Sequence, residues 1–411
     1  MQYVMDPAGI EVIRVLRHNG FSAYFVGGCV RDTVLGREVK DYDIATSAGP
    51  AQVMELFPKT VPTGLKHGTV TVLHGGRAFE VTTFRQETEY ENHRRPKSVE
   101  FVDDLTEDLR RRDFTINAMA MDELGQIIDP FGGLDDLDRK RLRCVGAAAE
   151  RFEEDALRML RCIRFAAEYG LKIDPSTWQA LMDHRRLLKY VAMERVKAEL
   201  DRIVCGSDPE TGIRLLIRSG LMDHLKEPMP PELLRSLREL EGSVPPVHRI
   251  PSCAGRYCLL FMRMGLDPDM AGQALRRLKF DNRSIRRIVG VLRFHEAAPR
   301  MESGQDWKLA VLEHGRETAE AWAEAAALLP IDVRTFRSDL PEAGRTWLRE
   351  MAVFRVKDLE FGGSDAKAIG AKGERIGKLM GALLKETALG RLPNEKEALR
   401  AFAIQWMREG R

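Results

Sequence analysis

The sequence predicts an α+β chain: a mixed-sheet domain over about residues 1–148, then a remainder built from helices. Two observations carry this. Aromatic and β-branched residues concentrate at the front, in short runs such as AYFV and TVTVLH that end in Gly-Gly turns. After about Ala148 the apolar residues recur at helical spacing instead, as at Phe152, Leu157, Leu160, Ile163 and Phe165, until Gly170 stops the run. A length of 411 residues exceeds one ordinary domain, and 44% hydrophobic residues suffice for more than one core.

The elements follow in order. MQYVMDPAGIEVIRVLRHNG reads as an amphipathic helix starting at Asp6 and Pro7. A strand, AYFV, runs into Gly27-Gly28 and a helix beginning near Cys29. In AFEVTTF, Phe79, Val81 and Thr83 alternate with Glu80 and Thr82, the period of a strand. GQIIDPFGG is a further short strand and turn. ERFEEDALRMLRCIRFAAEYG then reads as one strong helix, followed by helices in PSTWQALMDHRRLL and AMERVKAELDRIVCG. SDPETGIRLLIRSGLM starts another, with Asp208 as its cap. KEPMPPEL, GSVPPVHRIPSCAG and FGGSDAKAIGAKGE read as loops. The expected division is 1–148, 149–207, 208–325 and 326–411, with an elongated shape.

Composition narrows the partners. Lys and Arg number 64 against 62 Asp and Glu, so nucleic acid could be bound only through local basic patches. One such patch is RRLKFDNRSIRRIVG, with Arg276, Arg277, Lys279, Arg283, Arg286 and Arg287; an ordinary amphipathic basic helix would look the same. Cysteines 29, 144, 162, 205, 253 and 258 form no disulfide framework, and Cys253 and Cys258 have no second pair to make a zinc site. They read as free thiols in a reducing compartment. The N-terminus lacks a signal-peptide core and no stretch suits a membrane span, so the expectation is a cytoplasmic protein with no membrane contact and no obligate protein partner.

DYDI places Asp41 and Asp43 two apart in a strand-like run, so both carboxylates share one face. Like charges that close call for a cation between them. A Gly-Gly turn alone is often steric, and an Asp-x-Asp alone is often solvated. Together, Gly27, Gly28 and Arg31 before the acid pair suggest a phosphate cradle beside a divalent-metal site. Glu80 is the candidate third carboxylate; an acid on a solvent-facing strand is the plainer reading. Mg²⁺ takes hard carboxylate oxygens and keeps positions for phosphates. The chemistry implied is two-metal nucleotidyl transfer, in which a 3′-hydroxyl attacks the α-phosphate of a nucleoside triphosphate.

YFVGGCVRDTVLGREVKDYDIATSA, KHGTVTV, FEVTTFR, RRDFTINAMAMD, IIDPFGGLDDL and RFEEDALRMLRCIRFAAEYG, in this order, resemble the bacterial class II tRNA nucleotidyltransferases, the CCA-adding family within the polymerase-beta-like superfamily. The likeness is dense over about residues 20–200, and DLEFGGSDAKAIGAKGERIGKLMGALLKETALGRLPNEKEAL resembles the family's C-terminal region. The resemblance implies a nucleotidyltransferase head, a helical neck, and a body and tail that grip tRNA. It makes Asp41 and Asp43 the metal-binding catalytic pair, and Gly27, Gly28 and Arg31 the triphosphate cradle. Arg112, Asp113 and Asn117 match the motif used for ribose and phosphates; alone they would read as a helix-start charge cluster. Asp155 and Arg158, three apart and so neighbours on one helix face, match a protein template for the incoming base. Asp accepts from the amino group of cytosine or adenine and Arg donates to the ring. Otherwise the two would read as a surface ion pair. Arg161 and Arg164 continue the basic side of the same helix toward triphosphate or RNA. His67 occupies a family position but takes no assigned role.

The implied substrates are a tRNA 3′ end, CTP and ATP, with Mg²⁺ as cofactor and pyrophosphate released. RQETEYENHRRPKSVEF (residues 85–101) resembles the family's flexible loop at full length, a feature of relatives able to add the terminal adenosine. Adenosine-only relatives keep that loop as well. Bacterial poly(A) polymerases share the front motifs but carry a Gly-Arg-Arg-Phe-type motif after the catalytic strand and a strongly basic tail; neither occurs here. A non-catalytic RNA-binding relative would lack a catalytic Asp. No His-Asp dipeptide marks the phosphohydrolase domain of longer cousins.

Overall fold

The structure is a computed structural model that describes residues 5–91 and 95–409, and the side chains of these apart from 87–99. The chain forms two compact units, 1–228 and 229–411.

The first unit is built on a seven-stranded mixed sheet. Its strands are β1 (Ala23–Val26), β2 (Tyr42–Thr46), β3 (Thr60–Gly64), β4 (Thr69–His74), β5 (Arg77–Thr83), and, further along the chain, β8 (Ala120–Met121) and β9 (Ile127–Ile128), in the order β3-β4-β5-β2-β1-β8-β9. Within this sheet β2 and β5 pair in parallel and the other neighbours antiparallel. Helix α1 (Pro7–His18) covers one face. Its N-cap, Asp6, accepts from the Ala8 and Gly9 amides, as Asp-Pro at a helix start predicts. Helix α2 (Gly28–Val34) follows β1 through the glycine turn, and α3 (Pro50–Leu56) follows β2. On the other face Val26, Ala45, Phe84, Leu109, Ala118, Ala120 and Val145 form a core with α4 (Leu105–Arg110).

Within the segment expected as a flexible loop, β6 (Arg85–Glu91) and β7 (Arg95–Phe101) instead pair as antiparallel strands. Backbone pairing across the two strands takes the place of the loop that the polar composition suggests. Arg94 lies outside the described residues.

The single helix expected over 150–169 is two: α6 (Ala148–Glu154) and α7 (Arg158–Tyr169), with α5 (Gly133–Asp138) earlier in the chain. Asp155 has extended backbone (φ −139°, ψ 102°) and its side chain accepts from the Leu157 amide at 3.1 Å. That local turn offers the backbone an alternative to helix, which periodicity does not register. Helices α8 (Pro175–His184), α9 (Met193–Val204) and α10 (Pro209–Ser219) complete the unit as expected.

The second unit consists of helices, from α11 (Pro231–Glu239) to α20 (Lys396–Arg408), among the described residues. Trp307, Trp322 and Phe294 are fully buried at its centre, with edge-to-face contact between Phe294 and Trp307 at 5.1 Å. FGGSDAKAIGAKGE, expected as a loop, contains a short helix at Gly363–Ala368, where the Gly362 amide donates to Asp365. Arg276, Lys279, Arg283, Arg286 and Arg287 are exposed, and Arg277 is half-buried. The free-thiol expectation holds for Cys29, Cys144, Cys162 and Cys258, all buried, and fails at Cys205 and Cys253. Among the described residues no helix is long and apolar enough to cross a membrane.

Gly9 is where α1 meets the sheet. A Cβ there would lie 2.7 Å from the Phe25 ring and 2.9 Å from that of Phe79, both fully buried. Alanine raises helix propensity by about 1 kcal/mol, but overpacking a core costs about 1–3 kcal/mol. Gly9→Ala is therefore expected to lower the thermal unfolding midpoint of the purified protein; a raised midpoint would contradict this packing.

Candidate functional site

The turn between β1 and α2 sets the site. Gly27 adopts φ +75° and ψ −132°, which side chains disfavour. A Cβ on Gly27 would also stand 2.7 Å from Arg112 Nη1 and 3.7 Å from Asp43 Oδ2. The backbone thus passes directly under a guanidinium and a carboxylate. Asp43 lies on β2 and Asp41 just before it, and both line one cavity with Gly27, Gly28, Arg31 and Arg112. Burial raises the Asp43 carboxyl above its ordinary value; Arg112 pulls it down, and Glu80 and Asp41 push it up again. Glu80 is paired in register with Asp43 across β2 and β5, but it is exposed and lies outside the cavity lining. Cys29 Sγ lies 3.6 Å from the Asp43 carbonyl oxygen, and burial pushes this thiol up to about 12.

The cavity measures about 770 Å³. Ten Lys and Arg side chains line it against seven Asp and Glu, so it presents net positive charge to a polyanion. Arg112 is held to buried Asp108 at 3.2 Å, as is Arg111 at 2.7 Å, while Arg112 Nε is buried without a partner. Their charges pull Asp108 below its ordinary range against the opposing effect of burial.

Asp113 is the most constrained member. Its Oδ2 pairs with Arg161 at 2.6 Å, and its Oδ1 accepts from the Phe114 amide at 2.9 Å and from Asn117 Nδ2 at 3.1 Å. Burial alone would raise this carboxyl; the Arg161 charge, the Asn117 hydrogen bond and the Arg158 charge outweigh it and bring it down to about 2. Asn117 Oδ1 in turn accepts from Arg31. Arg31 also pairs with Asp32 at 3.0 Å, donates to the Tyr169 hydroxyl, and sits 4.2 Å over the Tyr169 ring.

Asp155 and Arg158 both line the cavity, but not as neighbours on one helix face: Asp155 lies in the break and Arg158 opens α7. Each has its own counter-charge. Asp155 accepts two hydrogen bonds from Arg195, and Arg158 donates to Glu154 at 2.5 Å and to the Arg111 carbonyl at 2.9 Å. Arg164 lines the same cavity, with its guanidinium held by Glu199 at 2.7 Å and Glu168 at 3.0 Å. His67 is exposed, away from the lining.

Asp41, Asp43, Gly27, Gly28, Arg31, Arg112, Asp113, Asn117, Asp155, Arg158, Arg161 and Arg164 therefore converge on one cavity, and Glu80 stands beside it. Sequence reasoning missed Asp108, Tyr169 and Arg195. Asp108 was visible as an acid three and four residues before Arg111 and Arg112; the other two find their partners only in the folded chain.

Comparison with known proteins places the chain in a family. Residues 23–143 match the family "Poly A polymerase head domain", 170–235 the "Probable RNA and SrmB-binding site of polymerase A", and 250–403 the tRNA nucleotidyltransferase domain 2 family. The CCA-adding enzyme of Lactiplantibacillus plantarum is 37% identical over 96% of this chain and 95% of its own. That of Geobacillus stearothermophilus is 37% identical over 96% of both chains. The crystal structure of the Bacillus stearothermophilus CCA-adding enzyme in complex with CTP superimposes with a TM-score of 0.83 at 33% identity, covering 99% of each chain. Matched along nearly its whole length by these enzymes in sequence and in fold, this protein belongs to the family of CCA-adding enzymes, the tRNA nucleotidyltransferases.

Proposed function

We propose that the chain rebuilds tRNA 3′ ends by adding C, C and A from CTP and ATP, releasing pyrophosphate at each addition. The observation that supports this most is the single cavity holding the acid pair at one part of its lining and Asp155 with Arg158 at another. The relative of known structure described above binds CTP.

The donor set suits Mg²⁺. Asp41 and Asp43 offer hard carboxylate oxygens on one side of a strand, with Glu80 beside them as a third candidate. Among the described residues no three His, Cys, Asp or Glu side chains cluster as a metal site. Two protein carboxylates with substrate phosphates filling other positions fit a metal that dehydrates reluctantly. Bound there, the metal supplies positive charge to the α-phosphate and the leaving oxygen.

The chain's own groups do the rest. Gly27 and Gly28 let the backbone approach the phosphates, and Arg31 and Arg112 offer guanidinium N–H groups to them. Asp113 contributes through the side chains it fixes, Asn117 at the ribose and Arg161 at the phosphates. Asp155 accepts from the exocyclic amino group of cytosine or adenine, while Arg158 donates to a ring acceptor. Uracil and guanine set a carbonyl against the Asp155 carboxylate. An unmade buried hydrogen bond costs about 1–3 kcal/mol, enough to exclude UTP and GTP. The 3′-hydroxyl of the tRNA then attacks the α-phosphate, forming the phosphodiester as the bond to pyrophosphate breaks. The exposed basic segment Arg276–Arg287 is the candidate grip on the tRNA body.

The test is nucleotide incorporation with Mg²⁺ on a tRNA lacking all three terminal nucleotides and on one ending in CC. With CTP and ATP together, complete CCA on the first is expected. Adenosine on the second and nothing on the first would mean an adenosine-only enzyme; a long A run would mean a poly(A) polymerase.

Asp43→Ala is expected to lower incorporation on the order of 10³-fold, the several kcal/mol that charge stabilisation at a phosphoryl group supplies. Binding of tRNA in a filter assay should persist, and weakened tRNA binding without slowed chemistry would argue against its role. Asp113→Asn leaves Arg161 facing an uncharged amide and should cost about 1–3 kcal/mol at neutral pH. Because the folded Asp113 carboxyl titrates at about 2, below its ordinary 3.8, its stabilisation is present above about pH 4 and is lost as pH falls toward 2. Melting temperature should therefore fall less steeply across that window in Asp113→Asn than in the unaltered protein. Parallel profiles would contradict the assignment.

A further inference from the structure

Asp155 is not held by the residue expected to act with it. Its carboxylate receives a two-pronged ion pair from Arg195, on α9: Nη2 to Oδ2 at 2.7 Å and Nη1 to Oδ1 at 3.2 Å. The Leu157 amide adds a third donor to Oδ1 at 3.1 Å. A carboxylate has about four acceptor sites. Three are taken here, so about one remains to take an N–H from a base. Both Arg195 and Asp155 line the cavity, and the Arg195 side chain is one-third exposed. Arg158 is held independently by Glu154, which also pairs with Arg151 at 2.5 Å.

We propose that Arg195 is a positioning residue for nucleotide selection. It fixes the rotation of the Asp155 carboxylate so that the remaining acceptor is aimed at one place, which only an amino group can use. The proposal rests on the reading of Asp155 as the group that meets the base. Two features make more than a fold-holding ion pair of it. The pair lies at the break between α6 and α7, where the backbone of Asp155 is extended and a backbone amide, that of Leu157, meets one carboxylate oxygen while Arg195 meets both. A guanidinium fork also sets carboxylate orientation as well as distance, which a Lys ammonium does not. Without Arg195, the Leu157 amide alone constrains one oxygen, and the carboxylate can turn away from a mismatched carbonyl.

The experiment measures kcat/KM for CTP and UTP on tRNA lacking CCA, and for ATP and GTP on tRNA ending in CC. It uses the full chain as wild type, Arg195→Ala, Arg195→Lys, Asp155→Ala and the Arg195→Ala/Asp155→Ala double variant. Thermal melts accompany each variant. Arg195→Ala is expected to reduce both discrimination ratios at least tenfold, and Arg195→Lys to recover only part of the loss. In the Asp155→Ala background, Arg195→Ala should reduce the ratios no further. A ratio within twofold of wild type in Arg195→Ala, alongside lost discrimination in Asp155→Ala, overturns the role of Arg195 and leaves the base-contact reading standing. Wild-type ratios in Asp155→Ala overturn that reading itself. An equal loss from Arg195→Ala in the Asp155→Ala background also overturns the proposal, since Arg195 would then act elsewhere. Should Arg195→Ala not fold, Arg195→Met, which keeps the apolar stem and removes every donor, carries the same comparison with the same outcomes.

Discussion

The Asp113–Arg161 ion pair is the contact on which the site depends. Arg161 comes from α7, and Asp113 from the segment after α4. Asp113 orients Asn117, Asn117 accepts from Arg31, and Arg31 returns to α7 at Tyr169. The circuit leaves α7 and rejoins it two turns later, with the glycine-turn helix α2 inside it. A buried carboxylate is costly unless every acceptor is used, and here both Asp113 oxygens are. Arg31 is thereby set beside the Gly27-Gly28 turn by a carboxylate whose own oxygens are all engaged.

The same segment supplies a second anchor. Asp108 holds Arg111 and Arg112, and Arg112 stands over Gly27 with its Nε unpartnered. A chain with a formal net charge of only +2 thus concentrates cations in one cavity. The Asp41 and Asp43 carboxylates lie within that field. Cationic and anionic side chains therefore stand side by side, and Gly27 is the small residue that allows Arg112 and Asp43 to be so close.

The parts of this arrangement legible in the sequence are those set by local spacing. Asp41 and Asp43, two apart at the start of a strand, both line the cavity as alternation suggests, and the Gly27-Gly28 turn was visible where a strand passes at once into a helix. The Asp6, Pro7 and Asp208 helix starts were legible for the same reason. What depends on distant partners was not. Asp155 and Arg158 fit a helical period, yet the Asp155 side chain caps the Leu157 amide and breaks the helix, so the two never share a face. Arg195 reads as an ordinary amphipathic-helix residue until α9 brings it to Asp155. Strands β6 and β7 resemble a polar loop in sequence because what joins them is backbone pairing. Glu80 alternates outward on β5 as predicted; only the parallel pairing of β2 with β5 sets it beside Asp43.

In the proposed function one protein-built acceptor, at Asp155, recognises the amino group shared by cytosine and adenine. Its most direct test is equilibrium binding of CTP against the triphosphate of 2-pyrimidinone ribonucleoside, which lacks only that amino group. ATP against purine ribonucleoside triphosphate makes the matching comparison. Loss of the amino group should weaken binding roughly ten- to hundredfold in both pairs, the consequence of about 1–3 kcal/mol for one unmade buried hydrogen bond. Equal affinities within either pair would contradict it.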